Sequence, residues 1–241
     1  MQYFPDNKLT RYTTKLPQTM ELDGNWEVGL SEIHYTHSWY NVKKGEMWLR
    51  LHYKDNKGVT KMKHYELHEG YYKTPKWLIN QFNRLKGKES YESNFTLSIS
   101  DIDHKAWLQL KKKTGNVISI SPGLQQALGF RLLAYEPGFH RADWVADLSR
   151  GLTSLYVYCP LVEHRTVGDT QAPLLRLVPI EGRDAQNVSR VFDPVHYVPL
   201  VQRNFQTVEI DIRDDTGQPV PFENGRVVVT LHFRKKRETY L

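Results

Sequence analysis

Apolar and polar residues alternate along much of the chain. Trp26, Val28 and Leu30 share one parity and Ile33 and Tyr35 continue on the other, which predicts a strand with a bulge near Ser31-Glu32. Met47, Leu49, Leu51 and Tyr53 alternate with Trp48, Arg50 and His52. The turn residues Asp55-Asn56-Lys57-Gly58 then precede a returning run from Val59 to Leu67, so a hairpin is expected. Further strands are expected at Phe95-Leu97-Ile99, Ala106 to Leu110, Val117 to Ile120, Leu155-Val157-Cys159, Ala172 to Ile180 and Val208-Ile210-Ile212. The last strand places Val227, Val229, Leu231 and Phe233 on one face. Lys113-Thr114-Gly115-Asn116 and Asp214-Asp215-Thr216-Gly217 carry turn chemistry.

Two short stretches change period. Thr74-Pro75 pairs an N-cap residue with proline at the first helical position, and Leu78, Phe82 and Leu85 follow at i, i+4 and i+7 up to Gly87. Ser121-Pro122 repeats the signal before Leu124, Ala127 and Leu128, with Gly129 as a stop. Residues 1–20 lack apolar periodicity and read as an arm; residues 130–152 read as a long surface loop. The expected layout is all-β: an arm at 1–20, one domain over 21–234 with about ten short strands, and a basic tail at 235–241.

The 241 residues are 39% hydrophobic and 25% charged, which excludes a disordered, collagenous or membrane-spanning chain. The net charge of +6 is not evenly spread. Between Lys43 and Lys113 there are 16 basic and 8 acidic residues, so this window holds +8 and the remainder −2. Cys159 is the single cysteine, which removes any intrachain disulfide, zinc ribbon or CxxC pair and suits a reducing compartment. Met1 to Asp6 begins no apolar run of signal-peptide length. The sequons at Asn94-Phe95-Thr96 and Asn187-Val188-Ser189 therefore carry no expectation of glycosylation.

Candidate chemistry is sparse. The pairs His34/His37 and His64/His68 fall in strand segments, where spacings of three and four do not bring side chains to one face, so no metal site is expected. Glu209 and Asp211 share the outward face of one strand at about 7 Å, a separation glycosidases use. Arg213 joins them on that face, which favours a solvated or subunit-facing surface. Asp101 and Asp103 flank a turn, and Cys159 alternates into the core as a small apolar residue. No GxSxG, GxxxxGK or GxGxxG sequence is present, and neither catalytic residues nor a cofactor are expected. The basic window interleaves lysines with Trp48, Tyr53, Tyr65, Tyr71, Tyr72, Trp77, Phe82 and Trp107. That pattern fits a single-stranded nucleic-acid platform, with Lys111, Lys112 and Lys113 as contacts, or a core whose lysines solvate sheet edges. The run Arg234-Lys235-Lys236-Arg237 offers further phosphate contacts, a localisation signal or a solvated end.

Several stretches together resemble the penton, or minor capsid, proteins of Maverick/Polinton elements and adintoviruses. The longest runs from Val208-Glu209-Ile210-Asp211-Ile212-Arg213-Asp214-Asp215-Thr216-Gly217 through Pro219-Val220-Pro221-Phe222 and Gly225 to Val227-Val228-Val229-Thr230-Leu231-His232-Phe233-Arg234. Leu16-Pro17 and Leu22 to Ile33 resemble the family's opening, and Leu155 to Cys159, Val167-Gly168-Asp169 and Pro173 to Arg176 make a third match. The resemblance implies a single jelly roll of two packed antiparallel sheets, with short helices and hairpins inserted in loops. It implies a homopentamer at the vertices of an icosahedral virion capsid, beside a double-jelly-roll major capsid protein, with no catalysis; from the residues themselves neither a cofactor nor a membrane partner is expected. Packaged DNA would meet a basic surface that faces the particle interior. A nucleic-acid-binding β-domain and, from Glu209 with Asp211, a carbohydrate-binding or carbohydrate-active roll stand as alternatives.

Overall fold

A computed structural model describes residues 4–55, 57–86, 95–112, 116–149, 152–182 and 185–236. The elements run in order β1 (Arg11–Glu21), β2 (Trp26–Thr36), β3 (Trp48–Lys54), β4 (Thr60–Glu66), α1 (Pro75–Leu85), β5 (Phe95–Ile99), β6 (Lys105–Leu110), β7 (Val117–Ile120), α2 (Pro122–Leu128), β8 (Ala134–Tyr135) and β9 (Gly138–Val145). Then come β10 (Ser154–Tyr158), β11 (Arg165–Val167), β12 (Thr170–Ala172), β13 (Leu174–Pro179), β14 (Asn187–Val191), β15 (Val198–Pro199), β16 (Asn204–Arg213) and β17 (Val228–Lys235). Where the alternation suggests one domain over 21–234, the chain divides into two compact units. Residues 1–39 with 151–241 form the first and residues 40–150 the second.

The first unit is an antiparallel jelly roll of two four-stranded sheets around one core. One sheet has the order β1-β16-β10-β13. The other centres on β2. His34 pairs with both Val228 of β17 and Ser189 of β14, so these strands occupy opposite edges of β2, and β15 continues the β14 edge at Glu27 and Val28. Leu30, Ile33, Leu155, Val157 and Ile212 are fully buried between the sheets. Thr230 pairs with Glu32 and Leu231 with Leu30, leaving Ser31 as the extra residue. This is the expected bulge, and the Ser31 hydroxyl donates to the Thr230 carbonyl at 2.9 Å. It returns Ile33 and Tyr35 to the core face that Val28 and Leu30 occupy. Gly29 is needed for close approach: a Cβ there would lie 2.6 Å from the His196 carbonyl oxygen.

Residues 1–20 differ from the expected arm, because from Arg11 onward they form β1, paired along β16. The strand shows no alternation because it is an edge whose register shifts between Lys15 and Met20, with only scattered half-buried positions. Lys235, assigned by sequence to the tail, is the last residue of β17.

The second unit has its own core, with Leu49, Leu51, Leu78, Leu108, Ile118, Leu124 and Leu128 fully buried. Its sheets are β4-β3-β7-β8 and β5-β6-β9. Both helices start as their caps dictate. The Thr74 side chain accepts from the Trp77 amide, and α1 buries Leu78, Ile79 and Phe82, while Leu85 is exposed. The Ser121 hydroxyl accepts from two amides, Leu124 in α2 and Trp48 at the start of β3, each at 3.1 Å. Gly129 ends α2 in the left-handed region at φ 74°, and a Cβ there would lie 2.3 Å from the Trp144 carbonyl oxygen. The strands β6 and β7 belong to different sheets, and of the turn-like Lys113 to Asn116 the first three residues lie outside the described residues. Residues 130–152 are not one loop, since β8 pairs with β7 and β9 with β6. Among the described residues no helix is long and apolar enough to cross a membrane.

Candidate functional site

Three surfaces hold the residues singled out by sequence. On β16, Val208, Ile210 and Ile212 point into the core, which turns Glu209, Asp211 and Arg213 outward as expected. These charges are paired within the chain. Arg11, on the neighbouring strand, donates to Glu209 at 2.9 Å, and Arg213 donates to Asp211 at 2.9 Å and to the Gly217 carbonyl at 3.0 Å. The face is therefore a neutralised ladder, with Tyr156 and Tyr158 opposite Arg213 and Asp211 on β10.

The basic run at the end of β17 is tied to the same unit. The Arg234 guanidinium pairs with Glu27 and lies over the Tyr197 ring at 3.4 Å. Lys235 stands opposite Trp26, and the Lys236 amide donates to the Asn25 carbonyl. Arg237 and Lys113 lie outside the described residues. Lys111 and Lys112 are exposed in the segment after β6, in the second unit. Charge separates by unit: residues 40–150 carry 19 basic and 11 acidic side chains, and the rest of the chain carries 14 and 16.

The histidines have local roles. His34 meets Glu32 at 2.8 Å, and His64 accepts from Arg50 and meets Glu66 at 3.1 Å. Among the described residues no group of three or more His, Cys, Asp or Glu side chains is placed to hold a metal ion. Asp101 and Asp103 lie within a turn rather than at its flanks, closed by the His104 amide on the Ser100 carbonyl. The Lys105 amide and Ser100 hydroxyl, with Arg141, hold the Asp103 carboxyl down at about 2. Cys159 is fully buried, and that burial pushes its thiol up to about 11. A thiol held neutral in this way is a poor nucleophile.

The third surface was only half visible in the sequence. On the outer face of β5-β6-β9, Trp107 of β6 stands opposite Arg141 of β9 and Ser98 of β5, and Gln109 opposite Phe139 and Thr96. The Trp107 and Phe139 rings are 4.4 Å apart by centroid, and the Arg141 guanidinium lies 5.4 Å from the Trp107 ring while pairing with Asp103. Phe139 and Arg141 fall in the segment read as a loop. Ala142 is the single buried residue of β9, so the strand has too little apolar alternation to reveal its faces.

No protein-family model matches the chain, and no curated protein matches it. Among solved structures, the chain is similar to the crystal structure of the mavirus penton protein. The two share a TM-score of 0.52 and 13% sequence identity, over 94% of this chain and 91% of that chain. At this identity the likeness establishes the fold: an all-β jelly roll elaborated with further sheets and two short helices.

Proposed function

We propose that the chain is a penton, a minor capsid protein forming the pentameric vertices of an icosahedral virion of the Maverick/Polinton group. The observation that carries this reading is the likeness to the mavirus penton protein over nearly the full length of both chains. The sequence stretches that resemble the family support it too, because they fall on β1, β2, β10, β13, β16 and β17 of the roll. In this reading its role is structural rather than catalytic, its place is the virion capsid, and its partners are further copies of itself and a double-jelly-roll major capsid protein.

A ring built from one kind of subunit needs two different patches that meet each other. The roll has sheet edges at β1 and β17 and at β13 and β14 to serve as flanks. We assign the Glu209, Asp211 and Arg213 face as one contact surface: its charges are already paired, so covering it strands no lone ion. Mass photometry and electron microscopy of the purified chain, alone and co-expressed with a double-jelly-roll partner, test the reading. Fivefold rings, or fivefold density at shell vertices, are expected. A strict monomer that never enters co-expressed shells overturns it.

A further inference from the structure

Phe139 leaves 56% of its surface in solvent on the outer face of β5-β6-β9, in ring contact with the partly exposed Trp107. Two aromatic rings on adjacent strands of an open sheet are a large apolar commitment to water. The core does not need them, since Leu97, Ala106, Leu108, Leu110 and Ala142 already supply the inner face. The polar side chains around the rings are short or planar: Thr96, Ser98 and Gln109. Lys111 follows two residues beyond Gln109, Lys112 is next to it, and both are exposed. Arg141 caps Trp107 from β9. Of the carboxylates nearby, Asp103 is engaged by Arg141 and Asp143 is exposed.

We propose that this face binds single-stranded nucleic acid. Bases stack on Phe139 and Trp107, Gln109 and Arg141 meet base or sugar edges, and Lys111 and Lys112 meet phosphates. Stacking on aromatic rings supplies sequence-tolerant affinity, and flanking cations track the backbone. A neutral glycan would also stack on the rings. The excess of 19 basic over 11 acidic residues in this unit favours the polyanion. The proposal goes beyond the capsid reading and does not depend on it, because strand binding and particle entry are separate measurements.

The test is fluorescence anisotropy of a labelled oligothymidylate with the whole chain, from low to physiological salt. Affinity is expected to fall with salt. Phe139→Ala, at an exposed position that the fold does not need, should weaken binding about tenfold at fixed salt while leaving the salt dependence in place. Lys111→Gln with Lys112→Gln should flatten the log–log salt slope by about 1.4, the value for two lost phosphate contacts on a single strand. Circular dichroism of each variant confirms that it is folded. No binding at low salt overturns the proposal, as does binding that neither variant changes. Salt-independent retention of a neutral maltooligosaccharide that Phe139→Ala abolishes would reassign the face to glycan.

Discussion

The two units are made of the same kind of antiparallel sheet but are assembled from the chain in opposite ways. The roll closes through partners far apart in sequence: β1 pairs with β16, β2 with β17, and the Ser31–Thr230 bond spans 199 positions. The second unit is one continuous segment, and its bond between Trp48 and Ser121 spans 73. Loop closure must precede the contacts that reward it, so the continuous unit has the kinetic advantage. In refolding followed by pulsed hydrogen exchange, amides of β3, β6 and β7 should be protected before those of β2 and β16. Simultaneous protection would erase the distinction.

The largest thermodynamic test is a matched pair of core truncations. Leu30→Ala in the roll and Leu108→Ala in the second unit each remove a fully buried side chain and should cost about 2–5 kcal/mol. Native-state hydrogen exchange should show each loss concentrated in its own unit. Equal loosening of both units by either variant would mean a single cooperative structure. Gly129→Ala comes next, at about 2 kcal/mol or more, because a left-handed backbone and the Trp144 carbonyl both oppose a Cβ. Denaturant melts would register it, and a neutral result would refute the close packing of α2 against β9.

Ser121→Ala should cost about 1–2 kcal/mol, since one hydroxyl serves the α2 cap and the start of β3. The smallest effect is that of acid on Asp103. Its folded-state pKa, about 2, lies below the ordinary 3.8, so the native state holds fewer protons than the unfolded state. Its contribution is complete above pH 3.8 and is lost as pH falls towards 2. An NMR titration of its carboxyl carbon should place the midpoint near 2, with Arg141 released from the turn in the same step.

Legibility from sequence followed burial. The parity change in β2 and the outward charges of β16 were readable because one face of each segment is buried and the other is not, and both helix starts because a capping hydroxyl stands before a proline. β1 was not readable, because an edge strand with an irregular register buries little of either face. β9 was hidden for a similar reason, and with it the ring partner and the guanidinium that join Trp107. The charge excess could be counted, but its confinement to one unit depends on where the chain leaves the roll after β2 and returns before β10.

The bulge in β2 reverses the usual rule for insertions and deletions. In an ordinary strand the loss of one residue turns everything beyond it to the wrong face. Removing Ser31 would instead set Val28, Leu30, Ile33 and Tyr35 at uniform alternate positions, all still facing inward. Loss of one residue at this point in the centre of a sheet therefore leaves the core face intact, and what goes with it is the strand's bend and the Ser31 bond to the Thr230 carbonyl.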